Sequence, residues 1–203
     1  MSAPPNYPEP VRGEARRQQV LDAASACFRE HGFHGTSIQR ISQASGMSAG
    51  HIYHYFGNKE AIVACIVEQY QHGVLDLVHR MEEGSKSVGL VEAVTAEVEA
   101  SIATRSGDRG SGLDLEILAE ASRNPVIAAA IQKADKTLRT KMRELLLQLP
   151  ALRKLPKSEL DARITVMSTL FNGLDIRTLC DPSINKAATI RVVQQVFRML
   201  MDE

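Results

Sequence analysis

Between Glu14 and Glu30 the apolar residues Val20, Leu21, Ala24, Cys27 and Phe28 recur every three or four positions, which predicts a helix with one buried face. His31 and Gly32 end it, with Gly32 as a candidate left-handed cap, and Phe33 is expected to join the same core. A second helix opens at Thr36 or Ser37, either of which can cap it, sets Ile38, Ile41 and Ala44 or Ser45 on one face, and stops at Gly46. Ser48 caps a third, which runs to Phe56 with Ile52 and Phe56 as core anchors one turn apart. A long helix then starts near Lys59 and ends around Gly84, carried by Ile62, Ile66, Tyr70, Leu77 and Met81. Its length suffices to join two domains.

The helical period continues through the remaining chain with no convincing strand alternation. It predicts helices over 88–104, 113–123, 126–149, 158–179 and from about 185 to 201. Pro125 marks a break followed by a helix start, the glycine-rich stretch SGDRGSG is a loop, and Pro150 and Pro156 bracket a short loop. Residues 1–11 hold Pro4, Pro5, Pro8 and Pro10 and no apolar period, so a flexible arm is expected there. The pattern therefore predicts an all-α chain of nine helices: the arm, a three-helix head over 12–58, and a helical body over 59–203.

Charge changes the picture at one place. Lys and Arg number 24, Asp and Glu also 24, so any affinity for a polyanion has to be local. From His31 through Lys59 there is no Asp or Glu at all, and the third helix carries small, hydroxylated, aromatic and imidazole side chains where a solvated helix would carry Glu and Lys. Two short helices around a glycine turn with such a face have the layout of a helix-turn-helix over 37–56. Small residues at Ala49 and Gly50 would let a duplex approach closely, with His51, Tyr53 and His54 projecting beside them. Arg12, Arg16 and Arg17, at the arm and first helix, and Arg40 are further candidates for phosphate or minor-groove contact.

Other chemistries find no support. Cys27, Cys65 and Cys180 are scattered and lack any C-x-x-C pair, which excludes a disulfide framework and fits a reducing, cytoplasmic setting. The pairs His31/His34 and His51/His54 have no neighbouring carboxylate or cysteine, so no metal site is expected. Apolar runs fall short of the roughly 20 residues that cross a bilayer, and the polar N-terminus is unlike a signal peptide. With no nucleophile motif, phosphate loop or zinc-protease motif, neither an enzyme nor a cofactor is expected.

The order Gly32-Phe33, Gly35-Thr36, Ile41, Gly46, Ser48, Gly50, Ile52-Tyr53, Tyr55-Phe56 and Lys59 resembles the N-terminal domain of the TetR family of bacterial regulators, over roughly residues 14 to 62. The resemblance implies a nine-helix, two-domain homodimer with a DNA-binding head and a ligand-binding, dimerising body, bound to a palindromic double-stranded operator. It also implies that Tyr53, Lys59 and Thr36 contact phosphates, with Ser37 beside them, while Ser48, Ala49, Gly50 and His51 face the groove. Ile38, Ile41, Ile52, Tyr55 and Phe56 are read as core. Ser42 and Ser45 stand where the family often has alanine, and Met47 where it usually has valine, so slightly looser packing is expected at the turn.

The body is less legible. Residues 115–131 and 170–179 are weakly similar to the regulators grouped with the betaine-pathway repressor. Polar residues set among apolar ones (Glu116, Glu120 and Asn124, then Asn172, Asp175 and Arg177) are candidates for an effector pocket, a buried carboxylate suiting a cationic ligand. Intramolecular pairing with Arg123 or Arg177 remains open. Helices over 158–180 and 185–201 resemble the family's dimerising pair, although their stripes could equally be monomer core; Gly173 in mid-helix suggests a close approach there. Cys65 and Cys180 offer a redox alternative. The expected function is a repressor released from its operator by an unknown small-molecule effector, with an activator or a ligand-independent regulator as the alternative.

Overall fold

The computed structural model describes residues 9–105 and 111–202. Among them are ten helices and no strand: α1 (Glu9–Gly35), α2 (Ile38–Ser45), α3 (Ala49–Phe56), α4 (Lys59–Val88), α5 (Leu90–Arg105), α6 (Ser111–Ala121), α7 (Pro125–Leu146), α8 (Pro150–Arg153), α9 (Lys157–Cys180) and α10 (Lys186–Met201). The all-α expectation holds. Residues 1–8 of the expected arm and 106–110 of the expected glycine-rich loop lie outside the described residues, while residues 9–11 already belong to α1.

Three local differences have physical causes. Helix α4 passes through Gly84 instead of ending there, and packs at that point against α5: a Cβ on Gly84 would meet the Ala93 Cβ at 3.4 Å, about van der Waals contact. The stop falls at Gly89, whose φ of 89° belongs to glycine. The stretch after Pro150 is not a plain loop but a turn of helix, with proline at its start and Leu152 drawn fully into the core. Burying a leucine in this way stabilises the fold by about 1.5–3 kcal/mol. In α1 the helical hydrogen bonding runs on to Gly35, yet Gly32 breaks the conformation with φ 71° and ψ 172°. The positive φ was expected; the extended ψ takes Gly32 outside the left-handed helical basin of an ordinary cap.

The chain divides into two compact units, Met1–Glu68 with Leu113–Ile131, and Gln69–Gly112 with Gln132–Glu203. In the first, Val20, Leu21, Ala24 and Phe28 of α1 share a core with Ile41, Ile52 and Ile62, and Ile117 of α6 is buried in the same unit. In the second, Val94, Leu146, Ile164, Phe197 and Met201 centre a helical core, with the Arg143–Asp161 ion pair joining α7 to α9. Among the described residues no helix is long and apolar enough to cross a membrane.

Candidate nucleic-acid interface

Helix α2 begins where Ser37, in extended backbone, accepts the Arg40 N–H at 3.2 Å, and it ends at Gly46 with φ 65° and ψ 13°. Ser48 repeats the device for α3, accepting the His51 N–H at 3.3 Å, and the Gly57 N–H closes the far end on the Tyr53 carbonyl at 2.8 Å. Ile52 and Phe56 bury one face of α3. Left outside are Ser48, Gly50, His51, His54 and Tyr53, the last 51% exposed, with Ala49 half-buried. Helix α2 buries Ile38, Ile41 and Ser45 and leaves Gln39, Arg40 and Gln43 exposed. No residue of α2, the turn or α3 carries a carboxylate, so this face offers donors and aromatic rims without repelling phosphate. Gln39 and Gln43 belong on it although the sequence reading passed over them; the signal was their place opposite Ile38 and Ile41.

Hydroxyl groups wire the turn between α2 and α3. Ser42 Oγ donates to the Met47 carbonyl at 2.6 Å, the Met47 N–H donates to Ser45 Oγ at 3.3 Å, and Gln19 Nε2 of α1 donates to the Ser45 carbonyl at 2.7 Å. The two serines expected to loosen this joint instead tie it together.

Several expected contacts lie elsewhere. Thr36 is 1% exposed and its hydroxyl donates to the Cys27 carbonyl at 3.0 Å, so this side chain serves the core and not a phosphate; the cap of α2 is Ser37. Lys59 is half-buried, its Nζ donating to the carbonyls of Phe33 at 2.6 Å and Thr36 at 2.9 Å, and burial pulls its pKa down while Glu60 and Glu120 pull it up. Arg17 is half-buried, its guanidinium donating to Cys65 Sγ at 2.9 Å and lying 5.4 Å from the Phe56 ring centre. Arg16 is exposed, and the Arg12 side chain lies outside the described residues.

The expected effector residues do not gather in one unit. Glu116, Glu120 and Asn124 fall in the unit that holds α1–α3; Asn172, Asp175 and Arg177 fall in the other. Glu116 Oε1 accepts the Phe33 N–H at 2.5 Å. Glu120, 3% exposed, receives Arg123 Nε at 2.8 Å and Asn124 Nδ2 at 3.5 Å, with His34 Nε2 at 3.1 Å. That is the intramolecular pairing with Arg123, and it satisfies the carboxylate without a ligand. Asn172 and Arg177 are exposed, and the Asp175 side chain lies outside the described residues. Burial pushes the Cys65 thiol up, only partly opposed by Arg17, which disfavours a reactive thiolate; Cys180 is exposed.

Comparison with known proteins converges on this head. Residues 20–66 match the family described as bacterial regulatory proteins, tetR family. The chain is 32% identical over 129 residues to the HTH-type transcriptional regulator UidR of Escherichia coli strain K12, a match spanning 63% of each chain. It is 35% identical over 83 residues to the HTH-type transcriptional repressor AcnR of Corynebacterium efficiens, covering 41% of this chain and 40% of that one. The solved structure of Salmonella enterica GusR superposes with a TM-score of 0.78 at 25% identity, covering 96% of this chain and 97% of GusR. With the capped α2–α3 pair, its buried Ile41 and Ile52 and a helical architecture that GusR matches throughout, residues 20–66 form a helix-turn-helix domain of the tetR family of bacterial regulatory proteins.

Proposed function

We propose that the chain is a homodimeric DNA-binding transcriptional regulator, a repressor that occupies a palindromic operator and leaves it when a small-molecule effector binds the helical body. The observation that carries this reading is the exposed, acid-free face of α3 set at a fixed joint on α2. Residues Ser48 to His51 then face base edges, while Tyr53 and Arg40 take phosphates: phosphate contacts position and base contacts specify. Gln39 and Gln43 flank them.

The second unit supports a dimer. Helices α9 and α10 leave Val166 and Ile176 (45% each), Leu179 (51%), Val192 (57%) and Met199 (65%) exposed, and open space surrounds Gly173 on the same helix as the first three. A second copy covering these stripes would remove them from water. A two-fold dimer reads half-sites about 34–36 Å apart or a multiple of that spacing. AcnR, similar to this chain over 83 residues, is named a repressor, which favours that sign. Release needs an effector with higher affinity for the DNA-free arrangement, since a ligand shifts an equilibrium only by its differential affinity.

Selection of duplexes from a randomised pool, followed by footprinting and light scattering, tests the whole reading. A palindromic footprint occupied by two chains is expected. Enrichment of no sequence, or full affinity from a monomer, would remove it.

A further inference from the structure

The turn between α2 and α3 is held at Met47 by side chains. Its N–H donates to Ser45 Oγ at 3.3 Å and its carbonyl accepts from Ser42 Oγ at 2.6 Å, so both backbone groups end on hydroxyls from the last turn of α2. Ser45 Oγ also donates to the Ser42 carbonyl at 3.4 Å. Ser45 is 4% exposed, and a hydroxyl buried so deeply costs free energy unless its hydrogen bonds are made. From α1, Gln19 Nε2 donates at 2.7 Å to the Ser45 carbonyl, one of those that a helix leaves open at its end.

The residue after Met47 is Ser48, the cap of α3, so the direction in which α3 leaves the turn follows from how Met47 is held. His51 comes four residues after Met47, about 6 Å along a helix that rises 1.5 Å per residue, so a tilt of about 10° at the turn moves it by about 1 Å. A hydrogen bond to a base edge, confined to about 2.7–3.2 Å, does not survive that displacement, whereas a flexible cationic side chain can follow a phosphate. The angle of the turn therefore governs base contacts more than phosphate contacts.

We propose that Ser42, Ser45 and Gln19 are positioning residues for operator discrimination. By pinning Met47 and the end of α2 they fix the angle of α3, so that tight binding is reserved for a duplex whose base edges meet Ser48 to His51 at that angle. The inference rests on the DNA-binding reading above and deepens it, since it assigns sequence preference to residues of α1 and α2 as well as to α3. Both serines stand where the tetR family often has alanine, so the pinning is a feature of this chain.

The wild-type protein first selects a duplex from a randomised pool, and affinity is then measured on that duplex and on copies with one base pair altered inside a half-site. An altered pair ordinarily weakens binding about 5- to 150-fold. In Ser42→Ala and in Ser45→Ala the selected duplex should lose roughly fivefold while the altered copies change little, so discrimination shrinks by about that factor. Gln19→Met should act in the same direction, and Ser42→Thr, which keeps the hydroxyl, should keep discrimination. The slope of log K against log salt concentration should stay unchanged, because each lost phosphate contact would lower it by about 0.9. Without DNA, hydrogen exchange at the Met47 amide should accelerate in Ser45→Ala; if that variant fails to fold, Ser42→Ala, at a half-buried position, decides alone. Equal weakening on every duplex marks a merely structural loss and would overturn the proposal. So would wild-type discrimination in both alanine variants, a slope lowered by about 0.9, or Met47 exchange indifferent to Ser45→Ala. Should the wild-type protein enrich no duplex, the DNA-binding reading itself falls, a result distinct from variants that discriminate as the wild type does.

Discussion

The buried carboxylate of Glu120 lies 3.1 Å from Nε2 of the exposed His34, joining α6 to the end of α1. Burial alone would push this carboxyl up, but the hydrogen bond and charge of Arg123, the charge of His34 and the Asn124 amide together hold it below the usual carboxylate range. A depressed folded-state pKa contributes stability that is present above the unfolded value of about 4.3 and is lost as pH falls through the folded value. Urea midpoints measured from about pH 6 down to about pH 3 should therefore fall less steeply for Glu120→Gln than for the wild-type chain. Parallel acid limbs would refute the linkage.

Gly32→Ala should destabilise the chain by about 1–3 kcal/mol from its backbone alone, since φ 71° with ψ 172° is a region essentially reserved for glycine. A steric part is added, because the new methyl would crowd Glu116 Oε1 and dislodge it from the Phe33 N–H. In a Glu116→Ala background that second part should vanish while the first remains. A double-mutant cycle in urea with no coupling between the two positions would contradict the geometry.

Gly50→Ala should move stability and DNA binding in opposite directions. A Cβ at Gly50 would meet only Ser48 Oγ at 4.0 Å, so alanine fits α3 and should stabilise it by about 0.5 kcal/mol. If Ser48 to His51 face base edges, as proposed, the added methyl would stand against them, and the preferred operator should weaken or change. Tyr53→Ala, by contrast, should weaken all sequences alike. Binding to selected and scrambled duplexes, read beside thermal melts, checks both signs.

Met199→Glu and Val192→Glu place charges on exposed positions two turns apart on α10 and touch little of the core of their unit. They should leave the melting of each chain's helices nearly unchanged, convert a dimer to a monomer by light scattering, and weaken operator binding in proportion to the dimer lost. Retention of the dimer in both variants would move its interface elsewhere.

What the sequence disclosed was mostly local. Ser37, Gly46 and Ser48 mark the ends of α2 and α3 because capping is decided within one turn of chain, and the isoleucines reveal their buried face through the 3.6-residue period. The same pattern cannot tell an exposed polar group from one turned inward, so it had nothing to set against the phosphate contacts that the family resemblance implied for Thr36, also a candidate cap, and Lys59. Nor does any local signal announce that residues 113–131 group with the head, since the joining contacts, Glu116 to Phe33 and Glu120 to His34, are made across long stretches of chain. Gly84 looked like a helix stop for a related reason: a glycine carried inside a helix and one that ends it, as Gly89 does, are the same letter.

The hydroxyl bonds of Ser42 and Ser45 have a kinetic meaning for recognition. With the α2–α3 joint already held by three hydrogen bonds, little rearrangement is left to occur at that joint when a duplex arrives. Encounter there approximates the docking of a rigid body, so in the dimer proposed above adaptation to imperfect operators would fall to the DNA's own bending or to the spacing of the two heads. Sequences that deform readily should then be tolerated at positions no side chain reaches.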